Sequence, residues 1–121
     1  MQLHYLVFDF TDEDSGYGSF DAMASVQPGR LPPLLAEIAA VLRWARSGFG
    51  AAGALQDEGE WDFQLQGLEE PDTPLDVRYD EGRGEVLLAP ADGAEWVTLT
   101  FTLGGSPAFC EAFREAFDVT D

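Results

Sequence analysis

The chain has 121 residues, 45% of them hydrophobic, and its 23 acidic side chains against six basic ones leave a net charge of −17. This length and composition predict one domain, residues 1–121, with a core of its own, and they exclude a disordered acidic tail. The charge excludes direct binding of nucleic acid or of an anionic membrane surface, because both need basic groups on the protein.

The first half of the chain predicts a β-hairpin followed by a helix. Leu3–Phe10 is apolar enough for a strand inside a sheet, Thr11–Ser19 is an acidic, glycine-rich turn, and Phe20–Val26 returns as a second strand. Two prolines suit the first turn of a helix over Pro32–Ser47, in which leucines and Ile38 recur at three- and four-residue spacing. That spacing predicts one apolar stripe on the helix.

The second half predicts a meander of four strands with short links, and then a terminal helix. The first three strands are Glu60–Gln66, Leu75–Tyr79 and Val86–Ala89, and turns rich in proline, glycine and acidic residues separate them. The helix should begin with Ser106 as its N-cap and Pro107 as its first residue. Its three phenylalanines, spaced by four residues, should lie on the sheet.

The fourth strand, within Ala94–Gly105, has the clearest pattern in the chain. One side carries Val97, Leu99, Phe101 and Leu103, and the other carries Trp96 and three threonines. Because successive strand side chains point to opposite faces, we expect an aliphatic face under a helix and a threonine-rich face on the other side. The element order is then ββαββββα, an α+β domain with two helices packed on a mostly antiparallel sheet.

The negative charge is concentrated in the middle of the sequence. Residues 57–85 contain eleven acidic residues and two arginines, whereas residues 86–121 contain six and one. The negative potential should therefore centre on the first two meander strands and their turns. A second interpretation is a coding bias, since all six basic residues are arginine and the sequence contains neither lysine nor asparagine.

These patterns favour a small, non-enzymatic binding protein that offers an acidic face to a basic protein partner, in the manner of an immunity or inhibitor protein. Charged rims accelerate association, and buried aromatic anchors prolong the complex. The predicted face consists of nine carboxylates: Glu58, Glu60, Asp62, Glu69, Glu70, Asp72, Asp76, Asp80 and Glu81. The candidate anchors are Trp44, Trp61 and Trp96, and packing under the loop after its helix is a second interpretation of Trp44.

Two motifs resemble ligand sites but lack the required context. Gly48–Gly53 matches the dinucleotide pattern G-x-G-x-x-G, yet it follows a helix where that mechanism needs a strand, so we interpret it as a helix C-cap and loop. Asp9, Asp12, Glu13 and Asp14 resemble a calcium loop without its ligand spacing, so a solvated hairpin turn is the better interpretation. Neither motif predicts a bound cofactor or metal.

An alternative is an enzyme or small-ligand binder with a pocket between helix and sheet. Glu60 and Asp62 share a strand face and, with Glu58 or Glu95, have the residue types of a glycoside hydrolase carboxylate pair. His4 and Cys110, the single histidine and the single cysteine, form a conceivable nucleophile–base pair. One of each cannot complete a zinc site within one chain unless carboxylates join them.

A third alternative is self-association as a homodimer, in which Trp96 and the threonine face meet a symmetric copy. No motif in the chain is specific enough to indicate a known family.

The sequence also suggests where the protein works. No apolar run reaches the length of a membrane span, and the first residues lack the basic region of a signal peptide. The single cysteine leaves no internal disulfide, which fits a reducing compartment. We therefore expect a cytoplasmic protein.

Overall fold

The structure, a computed structural model, describes residues 3–13, 15–53, 59–69, 73–88, 95–117 and 119. It confirms the predicted class, a single α+β domain with two helices on a mostly antiparallel sheet. The elements are β1 (Asp9–Asp12), β2 (Gly18–Val26), α1 (Leu31–Phe49), β3 (Trp61–Glu69), β4 (Thr73–Leu75), β5 (Val77–Asp80), β6 (Glu85–Leu88), β7 (Val97–Gly105) and α2 (Pro107–Ala116). A short 3-10 turn, Pro28–Arg30, leads into α1.

The central strand is β7, the last one in the chain. The five-stranded sheet has the order β1-β2-β7-β3-β4, and β7 pairs antiparallel with both β2 and β3 along all nine of its residues. The predicted meander is therefore wrong in its pairing, because β7 inserts between β2 and β3 instead of following β6. Its aliphatic side chains from Val97 to Leu103 are 0% exposed, so the strand with the most regular apolar face takes the most buried place.

The strand predicted over Leu75–Tyr79 is divided at Asp76. The part before the break, β4, pairs with the end of β3, whereas β5 leaves the sheet and pairs with β6 in a separate two-stranded sheet. Gly67 allows this departure. A Cβ on Gly67 would lie 2.5 Å from Cγ2 of Val77 and 3.2 Å from Cδ2 of Leu99, so only a residue without a side chain fits below the crossing.

Replacing Gly67 by alanine should therefore destabilise the fold by about 1–3 kcal/mol, because the new methyl overpacks the contact with Val77. The free energy of unfolding in denaturant measures the loss. Gly48→Ala is the matched control: that glycine lies within α1 with nothing within 4 Å of a new Cβ, so alanine should be neutral or stabilising by up to about 1 kcal/mol. Equal stability of the wild type and Gly67→Ala would contradict the crossing.

The N-terminal segment also differs from its predicted strand, which spans Leu3–Phe10. Strand pairing begins only at Asp9, and the residues before it run beside α1. There the Glu37 carboxylate accepts the backbone N–H groups of His4, Tyr5 and Leu6, at 2.9, 3.0 and 2.8 Å. These donors are satisfied by a side chain, so they need no neighbouring strand.

Both helices lie on the same side of the sheet and close the core there. Ser106 caps α2 as predicted, with its Oγ accepting the N–H of Phe109 at 3.2 Å. Phe109 and Phe113 are 0% exposed, and Phe113 contacts the ring of Phe20 on β2 at a centroid distance of 4.4 Å. The predicted helix over Pro32–Ser47 is α1, which extends further at both ends. The opposite side of the sheet carries no helix of the described chain.

Candidate functional site

The side of the five-stranded sheet that faces away from the helices is called here the open face. The strand register places its side chains in four rows across β2, β7 and β3: Ser19–Gly104–Asp62, Asp21–Thr102–Gln64, Met23–Thr100–Gln66 and Ser25–Thr98–Leu68. All of them are exposed or half-buried. Hydroxyls link the strands, since Thr102 Oγ1 donates to Asp21 Oδ1 at 2.9 Å, and the hydroxyls of Ser25 and Thr98 are 2.6 Å apart.

The open face carries carboxylates without arginines. Asp21 and Asp62 belong to its rows, and Asp9 on β1 pairs directly with Asp21. All six arginines fall within the described residues, and none lies on a strand of the five-stranded sheet. Like charges directly opposite on neighbouring strands are destabilising, so the Asp9–Asp21 pair lowers stability at this surface without a cation beside it on the sheet.

A groove of about 670 Å³ crosses one end of the open face. Its apolar lining on the open face includes Met23, Leu68 and Pro74, and its polar lining includes Ser25, Gln66, Asp76, Thr98 and Thr100. Leu75 and Val77 also line it, but they lie beside Gly67 on the helix side. Apart from Asp76 and Val77, the lining residues come from β2, β7, β3 and β4, so the groove runs across these four strands. A mostly apolar concavity with a few polar groups is typical of binding sites.

Two exposed apolar side chains lie at the open face, and a third, Val7, precedes β1. Among the described residues, the large hydrophobic side chains that are exposed are Val7 at 79%, Met23 at 67% and Trp96 at 44%. Met23 forms one wall of the groove. Trp96 immediately precedes β7, and the alternation of that strand places it on the side of Thr98. The threonine-rich face with Trp96 beside it, as predicted, is therefore the surface that the helices leave open.

The predicted acidic face is divided among several places. Asp62 is on the open face, whereas Glu69 pairs with the buried Val97 and points to the helix side, about 23 Å further along β3 at about 3.3 Å per residue. Asp76 lies at the groove, and Glu60 accepts the Ser106 hydroxyl at 2.5 Å. Glu58, Glu70 and Asp72 lie outside the described residues. A role for these carboxylates in binding stays a prediction.

Two of the predicted carboxylates, Asp80 at the end of β5 and Glu81 in the turn after it, face arginines. Glu81 Oε2 is 2.6 Å from Arg46 Nη1 on α1. Asp80 Oδ1 accepts the N–H groups of Gly82 and Arg83 at 3.0 and 3.2 Å, and its other oxygen is 4.0 Å from Arg83 Nε. Such exposed pairs contribute at most about 1 kcal/mol, but they turn these two carboxylates towards the protein itself.

The three tryptophans have different roles. Trp61 is 2% exposed, stacks on Phe109 and donates its Nε1–H to the Gly50 carbonyl at 2.9 Å, so the interpretation of Trp61 as a surface anchor is wrong. Trp44 is half-buried, and its edge contacts with Phe113 and Phe117 support the packing interpretation. Both rings are buried or half-buried for the same reason: Trp61 and Trp44 each pack on the phenylalanines of α2. Trp96 remains as the exposed candidate.

The candidate catalytic groups are not brought together. His4 is exposed beside Glu37, whereas Cys110 is 4% exposed and lies under Gly18 of β2. Burial raises the pKa of the Cys110 thiol, so the thiol is protonated at neutral pH and is a weak nucleophile. Asp62 Oδ1 accepts the N–H of the next residue, and neither it nor Glu60 lines the groove.

The ligand-like motifs have structural roles where the structure describes them. Gly50 ends α1 at φ +82°, and its N–H donates to the Arg46 carbonyl at 2.9 Å, which confirms the C-cap interpretation of the glycine pattern. Asp9 and Asp12 belong to β1, Glu13 closes the hairpin turn with Tyr17, and Asp14 lies outside the described residues. Within the described ranges, no group of three or more His, Cys, Asp or Glu side chains is arranged to hold a metal ion.

Comparisons with known proteins find no relative of this chain: no family model, no curated protein and no solved structure matches it. Neither helix of the described residues has the length and apolar character needed to cross a membrane.

Several residues of the groove were not singled out from the sequence, among them Met23, Leu68 and Pro74. A signal for Met23 was present, since it stands between Asp21 and Ser25 on the polar side of an alternating strand. Leu68 and Pro74 carry no such signal, because they meet only after β4 folds back on β3.

Proposed function

We propose that the protein is a non-enzymatic binding protein that docks a basic protein partner on its open face, as immunity and inhibitor proteins do with their targets. The observation that carries the proposal is the combination on one surface of exposed carboxylates, an apolar groove and no arginine. Asp9, Asp21 and Asp62 supply the charge, and Met23 supplies exposed apolar area.

The distribution of the arginines supports a cationic partner. They lie in the turn before α1, in the two helices and in the β5–β6 hairpin, so the helix side partly neutralises its own carboxylates. The open face has no such compensation from its own strands. A net charge of −17 attracts a basic partner over distances comparable to the Debye length, and the uncompensated face is where it is least repelled.

The same charges disfavour a second copy as the occupant. Two open faces in contact would bring Asp9, Asp21 and Asp62 of both copies together without a cation on either sheet. Like charges across an interface oppose association. The charge of the open face therefore opposes self-association through Trp96, and sedimentation of the protein alone tests that alternative.

The proposal is tested by removing three negative charges either from the open face or from the helix side, so that both variants have the same net charge. The triple variant Asp9→Asn, Asp21→Asn, Asp62→Asn should bind a soluble (Arg-Ser)₄ peptide about 5–20-fold more weakly than the wild type at about 20 mM salt, because each carboxylate near a bound cation contributes up to about 1 kcal/mol. Asparagine keeps the acceptor that Asp21 offers to Thr102. Amide chemical shifts measured during the titration give both the affinity and the location of the bound peptide.

The matched control neutralises three exposed carboxylates on the helix side: Glu85→Gln, Glu111→Gln, Glu115→Gln. Both triple variants have a net charge of −14, so any difference reports position alone. The control should weaken binding about 2-fold or less, and added salt should remove the difference between the two variants. If both triple variants weaken binding equally, peptide affinity depends on the net charge and not on where the carboxylates lie. That is the result expected if the acidity is a coding bias.

A further inference from the structure

We propose that the groove binds an extended segment of the partner in the pattern cation–x–apolar–x–cation, with the apolar side chain seated in the groove and a cation at each end. This inference rests on the proposed function, and it names the chemistry that the partner must present.

The dimensions of the groove give the spacing. It runs from Met23 on β2 to Pro74 on β4, across three strand-to-strand intervals of about 4.8 Å, or about 14 Å in all. In an extended segment, alternate side chains point to the same side at about 6.6 Å intervals. Three alternate side chains therefore cover about 13 Å, which matches the width of the groove.

The lining suits an aliphatic side chain in the centre. Met23 is flexible and 67% exposed, so it can close over different shapes, and Leu68 and Pro74 form the facing wall. Between the walls, the hydroxyls of Ser25 and Thr98 are already hydrogen-bonded to each other at 2.6 Å. An apolar group can cover that pair without leaving it unpartnered, and so without the cost of an unmade hydrogen bond.

Two carboxylates flank the groove and select the cations: one lines its β4 end, and the other lies beside its β2 end without lining it. Asp76 is exposed and lies at the end formed by β4 and β5. At the other end, Asp21 is two residues from Met23 on the same face of β2, about 7 Å away. A segment with arginine or lysine on each side of the apolar residue meets both carboxylates at once, and a segment with both cations on one side does not.

Three blocked pentapeptides test the spacing on the wild-type protein by amide and methyl chemical shifts: Arg-Ser-Leu-Ser-Arg, Arg-Ser-Ser-Ser-Arg and Arg-Arg-Leu-Ser-Ser. The first should bind about 10-fold more tightly than either of the others, because it alone offers the leucine and correctly spaced cations. Its shifts should concentrate at Met23, Leu68 and Thr98. Equal affinity for all three peptides would overturn the inference.

Two variants that each add a phenylalanine ring, one in the groove and one outside it, test whether the groove holds the leucine. Thr100→Phe places a ring in the groove at a strand position that tolerates aromatic residues, and it should abolish the preference for the leucine peptide. Ala108→Phe adds the same ring at an exposed position of α2, on the helix side, and should keep the 10-fold preference. Loss of the preference in both variants would mean that the ring acts through the fold rather than through the groove.

The two proposals fail in different ways. If the leucine preference is absent but the open-face triple variant still weakens (Arg-Ser)₄ binding more than its control, the groove inference is wrong and the proposed docking face stands. If the preference is present but the two triples behave alike, the groove is an apolar site without the charged face. If Thr100→Phe instead changes the sedimentation of the protein alone, the occupant is a second copy and both proposals fail.

Discussion

Replacing Phe113 by alanine is expected to lower the free energy of unfolding by about 3–5 kcal/mol, the usual cost of deleting a fully buried phenylalanine ring. Phe113 is 0% exposed and its ring contacts aromatic rings from four parts of the chain. Phe8 precedes β1, Phe20 is on β2 and Trp44 is on α1. The other two rings, Phe109 and Phe117, lie in α2 and directly after it. No neighbour can fill the space without leaving its own contacts, so a cavity remains.

The consequence should be local as well as global, because α2 has few other means of attachment. Its buried side chains are Phe109, Cys110 and Phe113, and its sequence is otherwise polar or small. With the middle ring removed, we expect the amides of α2 to lose protection from hydrogen exchange before those of β7 do. Such a result would identify α2 as the less stable unit of the fold.

Urea unfolding followed by circular dichroism measures the loss without relying on Trp44, whose fluorescence senses Phe113 directly. A domain of this size has a total stability of about 5–15 kcal/mol, so the alanine variant can fall below the level needed to fold. Phe113→Leu keeps the prediction testable, with an expected loss of about 1–2 kcal/mol. Phe10→Ala, a half-buried ring at the sheet edge, should cost less than Phe113→Ala. The opposite ranking of Phe10→Ala and Phe113→Ala would contradict the described core.

The fold class could be predicted from local patterns, but the strand pairing could not. The alternation in β7 and the phenylalanine spacing in α2 are local signals, and both elements formed where they were expected. The insertion of β7 between β2 and β3 depends on competition among strands for the most buried place, which no single segment records. The break at Asp76 likewise depends on Gly67 lying under Val77, a contact between distant segments.

The candidate site shows the same division. The threonine side of β7 was visible in the sequence, and it lies on the open face; Trp96, just before the strand, is exposed. The position of the carboxylates could not be predicted in this way, because residues close in sequence do not lie on one surface. Asp62 and Glu69 share a strand but point to opposite sides, whereas Asp9 and Asp21, twelve positions apart, are directly paired. Register decides which charges meet, and register requires the structure.

The topology explains why the open face is negatively charged. The apolar faces of β2, β7 and β3 all turn towards the helices, so the side chains left for solvent are mostly hydroxyls, amides and carboxylates, with Met23 and the half-buried Leu68 as apolar exceptions. The arginines are carried by helices and the hairpin, elements that lie on the helix side. The sheet therefore presents uncompensated negative charge because its basic residues were placed elsewhere, and not because acidic residues are especially dense there.

Replacing Glu37 by alanine is expected to release the N-terminal segment and to cost about 2–4 kcal/mol. The carboxylate accepts three backbone N–H groups: Oε2 from His4, and Oε1 from Tyr5 and Leu6. Hydrogen bonds to a charged acceptor contribute about 1.5–3 kcal/mol each when shielded, and the exposure at His4 reduces that sum. Leu6 and Phe8, at 4% and 7% exposure, would lose their fixed positions with the segment.

Glu37→Gln separates the charge from the shape of the side chain. Its amide oxygen can still accept from Tyr5 and Leu6, but its NH₂ group, a donor, then faces the His4 N–H, so we expect a smaller loss of about 1–2 kcal/mol. Glu111→Ala, at an exposed position of α2, is the control and should change stability by no more than about 0.5 kcal/mol. Unfolding in urea ranks the three variants.

Hydrogen exchange supplies the decisive readout for Glu37, because it reports the three donors individually. In Glu37→Ala the amides of Tyr5 and Leu6 should exchange much faster than in the wild type, while those of β7 change only with global stability. Unchanged exchange at Tyr5 and Leu6 would mean that the carboxylate does not hold the segment. Because the segment leads directly into β1, which carries Asp9, its release should also loosen the edge of the open face and broaden the Asp9 signal first.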